Sequence, residues 1–148
     1  MSSSASFKPV WWLRSPHLQT LWPVYFKKRF TLDLLDEQVE LDDGDFVDIH
    51  WSKKPSDKVV LILHGLEGSI NSQYANSTIY HLDQAGYCPV FMHFRGCSGR
   101  PNRLARAYHS GDTGDLAFIV EHIKTKTGRY PYAVIGFSLG GNVLLKWL

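Results

Sequence analysis

The sequence predicts an α/β fold in which an antiparallel hairpin leads into parallel strands with helices on both faces of the sheet. Continuous apolar runs of strand length occur at residues 59–63 and 133–135, and such runs indicate strands that are buried on both faces. Segments with apolar residues at helical spacing alternate with the strands. Strands that alternate with helices in this way form parallel sheets through right-handed crossover connections.

The first predicted elements are two strands joined by a tight turn. The pair Asp43-Gly44 lies between two segments in which apolar residues alternate with polar ones, at Val39, Leu41, Val47, Ile49 and Trp51. An Asp-Gly pair in this setting predicts a hairpin with a type I′ turn. The apolar run at 59–63 then supplies the first parallel strand.

A helix is predicted after this strand. Asn71 is its predicted N-cap, and Gly86 lies where a left-handed C-cap is needed. The predicted inward face carries three large side chains, those of Tyr74, Ile79 and Leu82. The next strand is predicted at Val90 to Phe94.

A long loop rich in glycine and arginine, from Arg95 to Gly111, follows that strand. Its length favours a functional role over a simple connection. Asp112 is the predicted cap of the second helix, Asp115 is expected to favour the positive end of the helix dipole, and Gly128 ends the helix. The buried stripe of this helix is predicted to contain Leu116, Ile119, Val120 and Ile123.

The composition is that of one soluble globular domain. The chain has 148 residues, with 16 Lys+Arg against 14 Asp+Glu and a hydrophobic fraction of 44%. Near-balanced charge disfavours nucleic-acid binding, which needs a surplus of basic residues on one face. Cys88 and Cys97 have neither disulfide nor zinc spacing, so reduced thiols are expected. The first residues lack the pattern of a signal peptide, and we expect a cytoplasmic protein.

Residues 1–31 form a predicted amino-terminal arm that precedes the domain at 32–148. The arm has no acidic residue, and its basic and aromatic residues are interleaved: Lys8, Trp11, Trp12, Arg14, Trp22, Tyr25, Phe26, Lys27, Lys28 and Arg29. A basic, aromatic segment can lie on a membrane surface. Because Pro9 and Pro23 interrupt any long amphipathic helix, the interpretation we favour is an ordered arm whose aromatic residues pack beneath the domain.

The chemical signal lies in a strand-turn-helix segment. Gly136-Phe137-Ser138-Leu139-Gly140 matches Gly-x-Ser-x-Gly, between the apolar run at 133–135 and a predicted helix from Leu139. A strained turn of this kind lifts the serine hydroxyl clear of the sheet, which makes Ser138 the candidate nucleophile. The alternative is an ordinary glycine-closed turn capped by Ser138. A nucleotide-binding loop is disfavoured because no Gly-Lys-Ser/Thr occurs.

The loop after the first parallel strand, His64-Gly65-Leu66-Glu67-Gly68, is the candidate partner of this serine. In hydrolases with this arrangement, one oxyanion N–H comes from such a loop and the other from the residue after the nucleophile. The candidates are the backbone amides of Leu66 and Leu139. We interpret His64 as a structural residue, because the catalytic base of this fold follows the nucleophile in the chain. His93 and His109 have no second histidine or carboxylate at metal-ligand spacing, so both are also interpreted as structural residues.

Several strings together resemble the YheT-like esterase branch of the α/β-hydrolases: residues 17–20 (HLQT), 45–48 (DFVD), 64–69 (HGLEGS), 94–99 (FRGCSG), 108–112 (YHSGD) and 136–142 (GFSLGGN). The branch is similar to carboxylesterases, abhydrolase-domain phospholipases and yeast enzymes that make medium-chain ethyl esters. The resemblance therefore implies an α/β-hydrolase fold and a serine esterase. The implied substrate is a small ester with a short- to medium-chain or lipid-derived acyl group.

The resemblance also implies that the chain corresponds to the amino-terminal half of an enzyme about twice as long. The triad acid and histidine of this fold follow the serine on later loops, so we expect the 148-residue chain alone to be nearly inactive. Loss of a triad histidine can lower turnover by a factor on the order of 10⁶. No metal or organic cofactor is expected. Two alternatives stay open: acyl transfer to an alcohol by the same groups, and a non-catalytic module that binds a membrane surface or a partner protein.

Overall fold

The computed structural model describes residues 7–26 and 29–148. Its elements, in chain order, are α1 (Pro16–Phe26), β1 (Leu34–Glu40), β2 (Phe46–Ser52), β3 (Val59–Leu63), α2 (Gln73–Gln84), β4 (Cys88–Met92), α3 (Gly114–Thr127), β5 (Ala133–Gly136) and α4 (Leu139–Trp147).

The five strands form one mixed sheet in the order β1-β2-β4-β3-β5. β2 pairs antiparallel with both β1 and β4, and β3 pairs parallel with both β4 and β5. The register places Leu63 of β3 beside Met92 of β4 and Gly136 of β5. The hairpin and the parallel strands predicted from the sequence are therefore confirmed, and the loops that follow the three parallel strands meet at one edge of the sheet.

The core lies on both faces of the sheet. α3 and α4 cover one face, where their apolar side chains pack against Leu61 and Leu63 of β3. α2 covers the other face through Ala75 and Ile79, which pack against Ile62 and Phe91. All residues of β3 and β4 are buried, as their continuous apolar runs predict. Burial of each large apolar side chain contributes roughly 1.5–3 kcal/mol, so these two layers fix the positions of the loops at the sheet edge.

The predicted type I′ turn between β1 and β2 is wrong. The amide of Gly44 donates to the carbonyl of Leu41, and the amide of Leu41 donates to the carbonyl of Asp45, which leaves a three-residue loop. Gly44 has a φ of +83°, whereas Asp43 does not have a positive φ. A type I′ turn needs a positive φ at both central residues, and this loop is a type I turn followed by a left-handed glycine.

The start of α2 and the start of β4 differ from the sequence prediction. The N-cap of α2 is Ser72 and not Asn71, and the Ser72 hydroxyl accepts a hydrogen bond from the amide of Ser69 in the preceding loop. β4 begins two residues earlier than predicted because the backbone pairs with β3 from Cys88 onward. Gly86 and Gly128 have φ values of +82° and +77°, as predicted for left-handed residues after α2 and α3.

The predicted N-cap at Asp112 is wrong, because the N-cap of α3 is Thr113. Asp115 lies in the first turn of α3, where its charge favours the helix dipole as predicted, and both carboxylates also bind arginines. Asp112 accepts from Arg106 at 2.7 and 2.9 Å, and Asp115 accepts two hydrogen bonds of 2.7 Å from Arg95. A planar guanidinium matches a carboxylate bidentately, and at Asp112 this geometry outweighs the weaker attraction to the helix amides.

Phe30, near the end of the arm, stacks on Tyr80 of α2 with ring centroids 3.9 Å apart. The earlier aromatic residues of the arm do not pack beneath the described part of the domain, so the interpretation of a packed arm is wrong for Trp11, Trp12, Trp22, Tyr25 and Phe26. The exposed fractions of Trp11 and Tyr25 are 79% and 74%. Trp22 instead contacts its neighbours within the arm, with ring centroids 4.8 Å from Trp12 and 4.1 Å from Phe26. Lys27 and Lys28 lie outside the described residues. Within residues 7–26 and 29–148, no helix combines the length and apolarity needed to cross a membrane.

Candidate active site

Ser138 occupies a strained turn between β5 and α4. Its φ and ψ angles are 50° and −115°, a combination that side chains other than glycine rarely adopt. Backbone strain of this kind costs of order 1–3 kcal/mol and persists only where the surrounding structure enforces it. A strained strand-turn-helix geometry is therefore present at Ser138.

The glycines around Ser138 let β5 and α4 approach each other closely. A Cβ atom added to Gly136 would lie 2.5 Å from the carbonyl oxygen of Gly140, and one added to Gly140 would lie 2.5 Å from the carbonyl oxygen of His64. Real Cβ atoms do not approach backbone atoms so closely. The requirement for glycine at both positions explains why the serine motif has this spacing.

The loop after β3 lies directly against the serine. A Cβ atom added to Gly65 would lie 3.2 Å from Cβ and 3.8 Å from Oγ of Ser138. The loop turns through a hydrogen bond of 3.0 Å from the amide of Gly68 to the carbonyl of Gly65, and Glu67 has a φ of +49°. A positive φ at a residue other than glycine indicates a loop held in place by its surroundings.

Two tyrosine hydroxyls hold this loop. The amide of Gly65 donates to the hydroxyl of Tyr74 at 3.1 Å, and the amide of Glu67 donates to the hydroxyl of Tyr108 at 2.8 Å. Tyr74 belongs to α2 and Tyr108 to the long loop after β4. Sequence reasoning placed Tyr74 only on the inward face of a helix, and no local signal indicated a role for Tyr108.

A cavity of about 490 Å³ opens at this position, lined by the loop at 65–68 and by Ser72, Tyr74, Phe137 and Ser138. Leu66, one of the two residues predicted to supply an oxyanion amide, is part of this lining, and Leu139, the other, directly follows Ser138 in the chain. Within the described residues, neither amide donates a hydrogen bond to another part of the protein. The structure thus brings the loop with Leu66 beside the turn with Ser138 and Leu139, as the sequence motifs predict.

His64 has a structural environment. Its ring is buried, with Nδ1 2.6 Å from the carbonyl oxygen of Gly65 and Nε2 accepting from the amide of Phe94 at 3.0 Å. These contacts use both ring nitrogens of the neutral form. Burial lowers the pKa of His64, which favours the same form. The interpretation of His64 as a structural residue is confirmed, because neither nitrogen is left to accept a proton from Ser138.

The two other histidines singled out from the sequence lie outside the cavity. His93 is buried among aromatic rings, and burial, followed by the neighbouring His50 and His64, lowers its pKa to about 4. His109 accepts from the amide of Gly111 at 3.1 Å. Across the described ranges, no group of three His, Cys, Asp or Glu side chains could hold a metal ion.

The long loop after β4 is anchored to the β1–β2 hairpin by buried charges. The Arg95 guanidinium contacts Asp43 at 2.8 Å and Asp45 at 3.1 Å, in addition to Asp115 of α3. The side chain of Asn102 donates to Asp45 at 2.9 Å and to the carbonyl of Phe46 at 2.8 Å. This network holds in place the loop that carries Tyr108.

Burial acts to raise the pKa of Asp45, but its hydrogen bonds and the Arg95 charge outweigh burial and lower the pKa to about 2. The carboxylate is therefore charged at neutral pH although its side chain is buried.

Comparison with known proteins identifies the family. Residues 58–148, which include the serine turn and the loop after β3, match the family model described as alpha/beta hydrolase fold. The chain belongs to the α/β-hydrolase family. The described elements are consistent with this membership, since they form a mixed sheet with helices on both faces and place a strained serine at its edge.

Within the α/β-hydrolase family, the resemblance to YheT is confirmed. The chain is 43% identical over 147 residues to YheT of Escherichia coli strain K12, a candidate esterase, covering 97% of this chain and 43% of that protein. It is 25% identical to phospholipase ABHD3 of Bos taurus, covering 97% of this chain and 37% of that protein. The chain thus spans about two fifths of the length of these curated relatives.

A solved esterase structure has a similar fold. The esterase Pf2001 of Pyrococcus furiosus superposes with a TM-score of 0.65 at 26% identity, covering 78% of this chain and 45% of that one. As with the curated relatives, the match extends over less than half of the longer chain.

Proposed function

We propose that the chain supplies the nucleophile and the oxyanion hole of a serine esterase. The observation that carries the proposal is the strained Ser138, which borders a cavity together with the loop that contains Leu66. The esterase names of YheT, which matches 97% of the chain, and of Pf2001, which matches 78% of it, support ester hydrolysis as the reaction. The phospholipase name of another relative supports a lipid-derived ester as one substrate class.

The proposed reaction has two steps. The Ser138 Oγ attacks the ester carbonyl carbon and passes its proton to a histidine, which then protonates the leaving alcohol. In the second step, water attacks the carbonyl carbon of the acyl-enzyme and passes a proton to the same histidine. The histidine then protonates the serine oxygen, and the carboxylic acid is released. In both steps, the amides of Leu66 and Leu139 donate to the oxygen that becomes negatively charged.

The histidine and its acid partner are proposed to lie in the portion of the α/β-hydrolase domain that this chain does not span. Among the described residues, no hydrogen bond joins the Ser138 hydroxyl to a histidine or a carboxylate, and His64 has both nitrogens occupied. In this fold, both triad partners follow the nucleophile along the chain. The 148-residue chain alone is accordingly proposed to be nearly inactive.

Ester hydrolysis can be tested with the full-length protein that contains this sequence. Wild type and Ser138→Ala are compared on p-nitrophenyl esters of increasing acyl-chain length, with Ser98→Ala as a control for loss of a serine in the loop after β4. The expected result is activity in wild type and Ser98→Ala and a loss of at least 10³-fold in Ser138→Ala. Equal rates for wild type and Ser138→Ala would reject Ser138 as the nucleophile.

The exposed arm supports a second candidate role, contact with an anionic lipid surface. Residues 1–31 carry five basic residues and no acidic ones. Trp11, Tyr25 and Phe26 are each exposed by 65% or more. Aromatic residues interleaved with cations favour the boundary between lipid headgroups and acyl chains.

Lipid contact can be tested by co-sedimentation with vesicles of mixed zwitterionic and anionic phospholipids. Replacement of both Trp11 and Tyr25 by serine is expected to reduce the bound fraction at least fivefold, because each loses exposed aromatic area. Leu35→Ser, which removes an exposed apolar side chain of β1, serves as the control. Equal binding by all three proteins would exclude the arm as a lipid contact.

A further inference from the structure

We infer that the hydroxyl of Tyr74 is a third hydrogen-bond donor to the substrate oxygen, beside the amides of Leu66 and Leu139. The inference rests on the proposed esterase function and adds a catalytic side chain to it. It follows from the position of the hydroxyl, from the hydrogen bond that its oxygen accepts, and from a comparison with Tyr108, which contacts the same loop.

Tyr74 lines the cavity that Ser138 borders, and its hydroxyl contacts the loop that forms another part of the lining. Tyr74 is the second residue of α2, and its ring packs on Phe137 with centroids 4.5 Å apart. Its oxygen is 3.1 Å from the amide nitrogen of Gly65, the residue that directly precedes Leu66. The hydroxyl therefore lies next to one of the two proposed oxyanion amides, on the side chain of a rigid helix.

The surrounding atoms fix this hydroxyl tightly. A Cβ atom added to Gly68 would lie 2.5 Å from the Tyr74 oxygen and 2.8 Å from Cβ of His64. The absence of a side chain at position 68 thus provides the space that the hydroxyl occupies. A donor held by a packed ring and an enclosed oxygen needs little reorganisation during the reaction, and this preorganisation is what makes oxyanion donors effective.

The hydrogen of this hydroxyl has no acceptor in the described part of the chain. The oxygen accepts from Gly65, and no hydrogen bond from Tyr74 to another described residue is present. A tyrosine hydroxyl carries one hydrogen to donate in addition to its acceptor capacity. Because the side chain lines the cavity, an oxygen atom of a bound substrate can accept a hydrogen bond from this hydroxyl.

Tyr108 contacts the same loop after β3 but has a contrasting arrangement. Its hydroxyl accepts from the amide of Glu67 at 2.8 Å, so it holds the loop as Tyr74 does. Its ring stacks on Phe94 with centroids 5.1 Å apart, and it is not among the residues that line the cavity. Loss of the Tyr108 hydroxyl removes a loop contact without removing a donor to the cavity, which makes Tyr108→Phe the matched control.

The test measures kcat and KM of the full-length wild type, Tyr74→Phe and Tyr108→Phe on the best p-nitrophenyl ester. Tyr74→Phe is expected to lower kcat by about 10²-fold, the range found for loss of one oxyanion donor, with KM changed less than threefold. Tyr108→Phe is expected to lower kcat less than tenfold. Labelling of Ser138 by a fluorophosphonate and the urea midpoint of each variant report whether the site and the fold remain intact.

A rescue separates donation to the substrate from support of the loop. 4-Aminophenylalanine at position 74 returns N–H donors to the cavity, offers Gly65 only a weak acceptor, and is expected to raise kcat at least tenfold above Tyr74→Phe. A kcat for Tyr74→Phe equal to that of Tyr108→Phe, or no rescue, overturns the inference while leaving the esterase proposal in place. A wild type that neither cleaves esters nor reacts with the fluorophosphonate overturns both proposals.

Discussion

Replacement of Arg95 by methionine is expected to destabilise the protein strongly, because it removes the cation from a buried cluster of charges. The guanidinium donates two hydrogen bonds of 2.7 Å to Asp115 and one of 3.1 Å to Asp45. All three side chains are buried, with exposed fractions of 2%, 6% and 0% for Arg95, Asp115 and Asp45. Methionine fills most of the volume of the arginine stem but leaves the two buried carboxylates, and the partly exposed Asp43 at 2.8 Å, without this partner.

The expected loss follows from the cost of a buried charge that keeps only a weaker partner, since Arg106 lies 3.7 Å from Asp115. Removal of one member of a buried ion pair costs about 3–5 kcal/mol, and Asp115 loses both of its short hydrogen bonds here. Asp45 keeps its hydrogen bonds from Asn102 and from the amides of Phe46 and Arg103, which places the expected value near the lower end of that range.

Urea unfolding followed by far-UV circular dichroism measures this loss, with Arg103→Met as the control. Arg103 binds Glu40 on the surface, where solvent screens the pair, and its loss is expected to shift the midpoint little. A free energy of unfolding for Arg95→Met equal to that of Arg103→Met would refute the reasoning, since burial of the cluster would then have no energetic consequence.

Three further predictions concern the serine turn and the response to acid. Ser138→Gly is expected to unfold at a higher urea concentration than Ser138→Ala, because both lack the hydroxyl and only glycine relieves the strain of about 1–3 kcal/mol; equal midpoints would contradict this explanation. Gly140→Ala is expected to lower the free energy of unfolding by at least about 2 kcal/mol, measured in the same way, because the added methyl group meets the backbone of β3 and the His64 carbonyl. Unfolded His93 takes up a proton below about pH 6.5 and the folded form only near pH 4, so the free energy of unfolding is expected to fall by about 3 kcal/mol over that interval. When the free energy of unfolding is measured as a function of pH, this fall should be absent in His93→Gln. A further fall between about pH 4 and 2 is expected as Asp45 is protonated, and its persistence in His93→Gln is the internal control.

The sequence predicted those parts of the fold and site that depend on residues close together in the chain. The runs at 59–63 and 133–135 indicated buried strands because continuous apolarity is a local signal, and both lie in the sheet. Gly136 to Gly140 indicated the serine turn because the steric requirement for glycine is set by residues two positions apart. Leu66 and Leu139 lie at the predicted sheet edge, and their donation to an oxyanion stays a prediction.

Other features depend on contacts between distant residues, which no local pattern contains. The turn at Asp43-Gly44 is not type I′ because pairing of Leu41 with Asp45 lengthens the loop. Asp115 does not favour the helix end through its charge alone, because Arg95, 20 residues earlier, reaches it. Tyr108 holds a loop 41 residues away in sequence.

The central position of β3 has a consequence for synthesis of the protein on the ribosome. β3 pairs with β4 on one side and β5 on the other, yet about 70 residues separate Leu63 from Ala133. Synthesis proceeds at roughly 5–20 residues per second, so the edge of β3 that pairs with β5 stays unpaired for on the order of 4–14 s. During that interval the nascent chain exposes a segment suited to pairing with other chains, so its yield in cells should depend on translation rate and on chaperones that bind extended apolar segments.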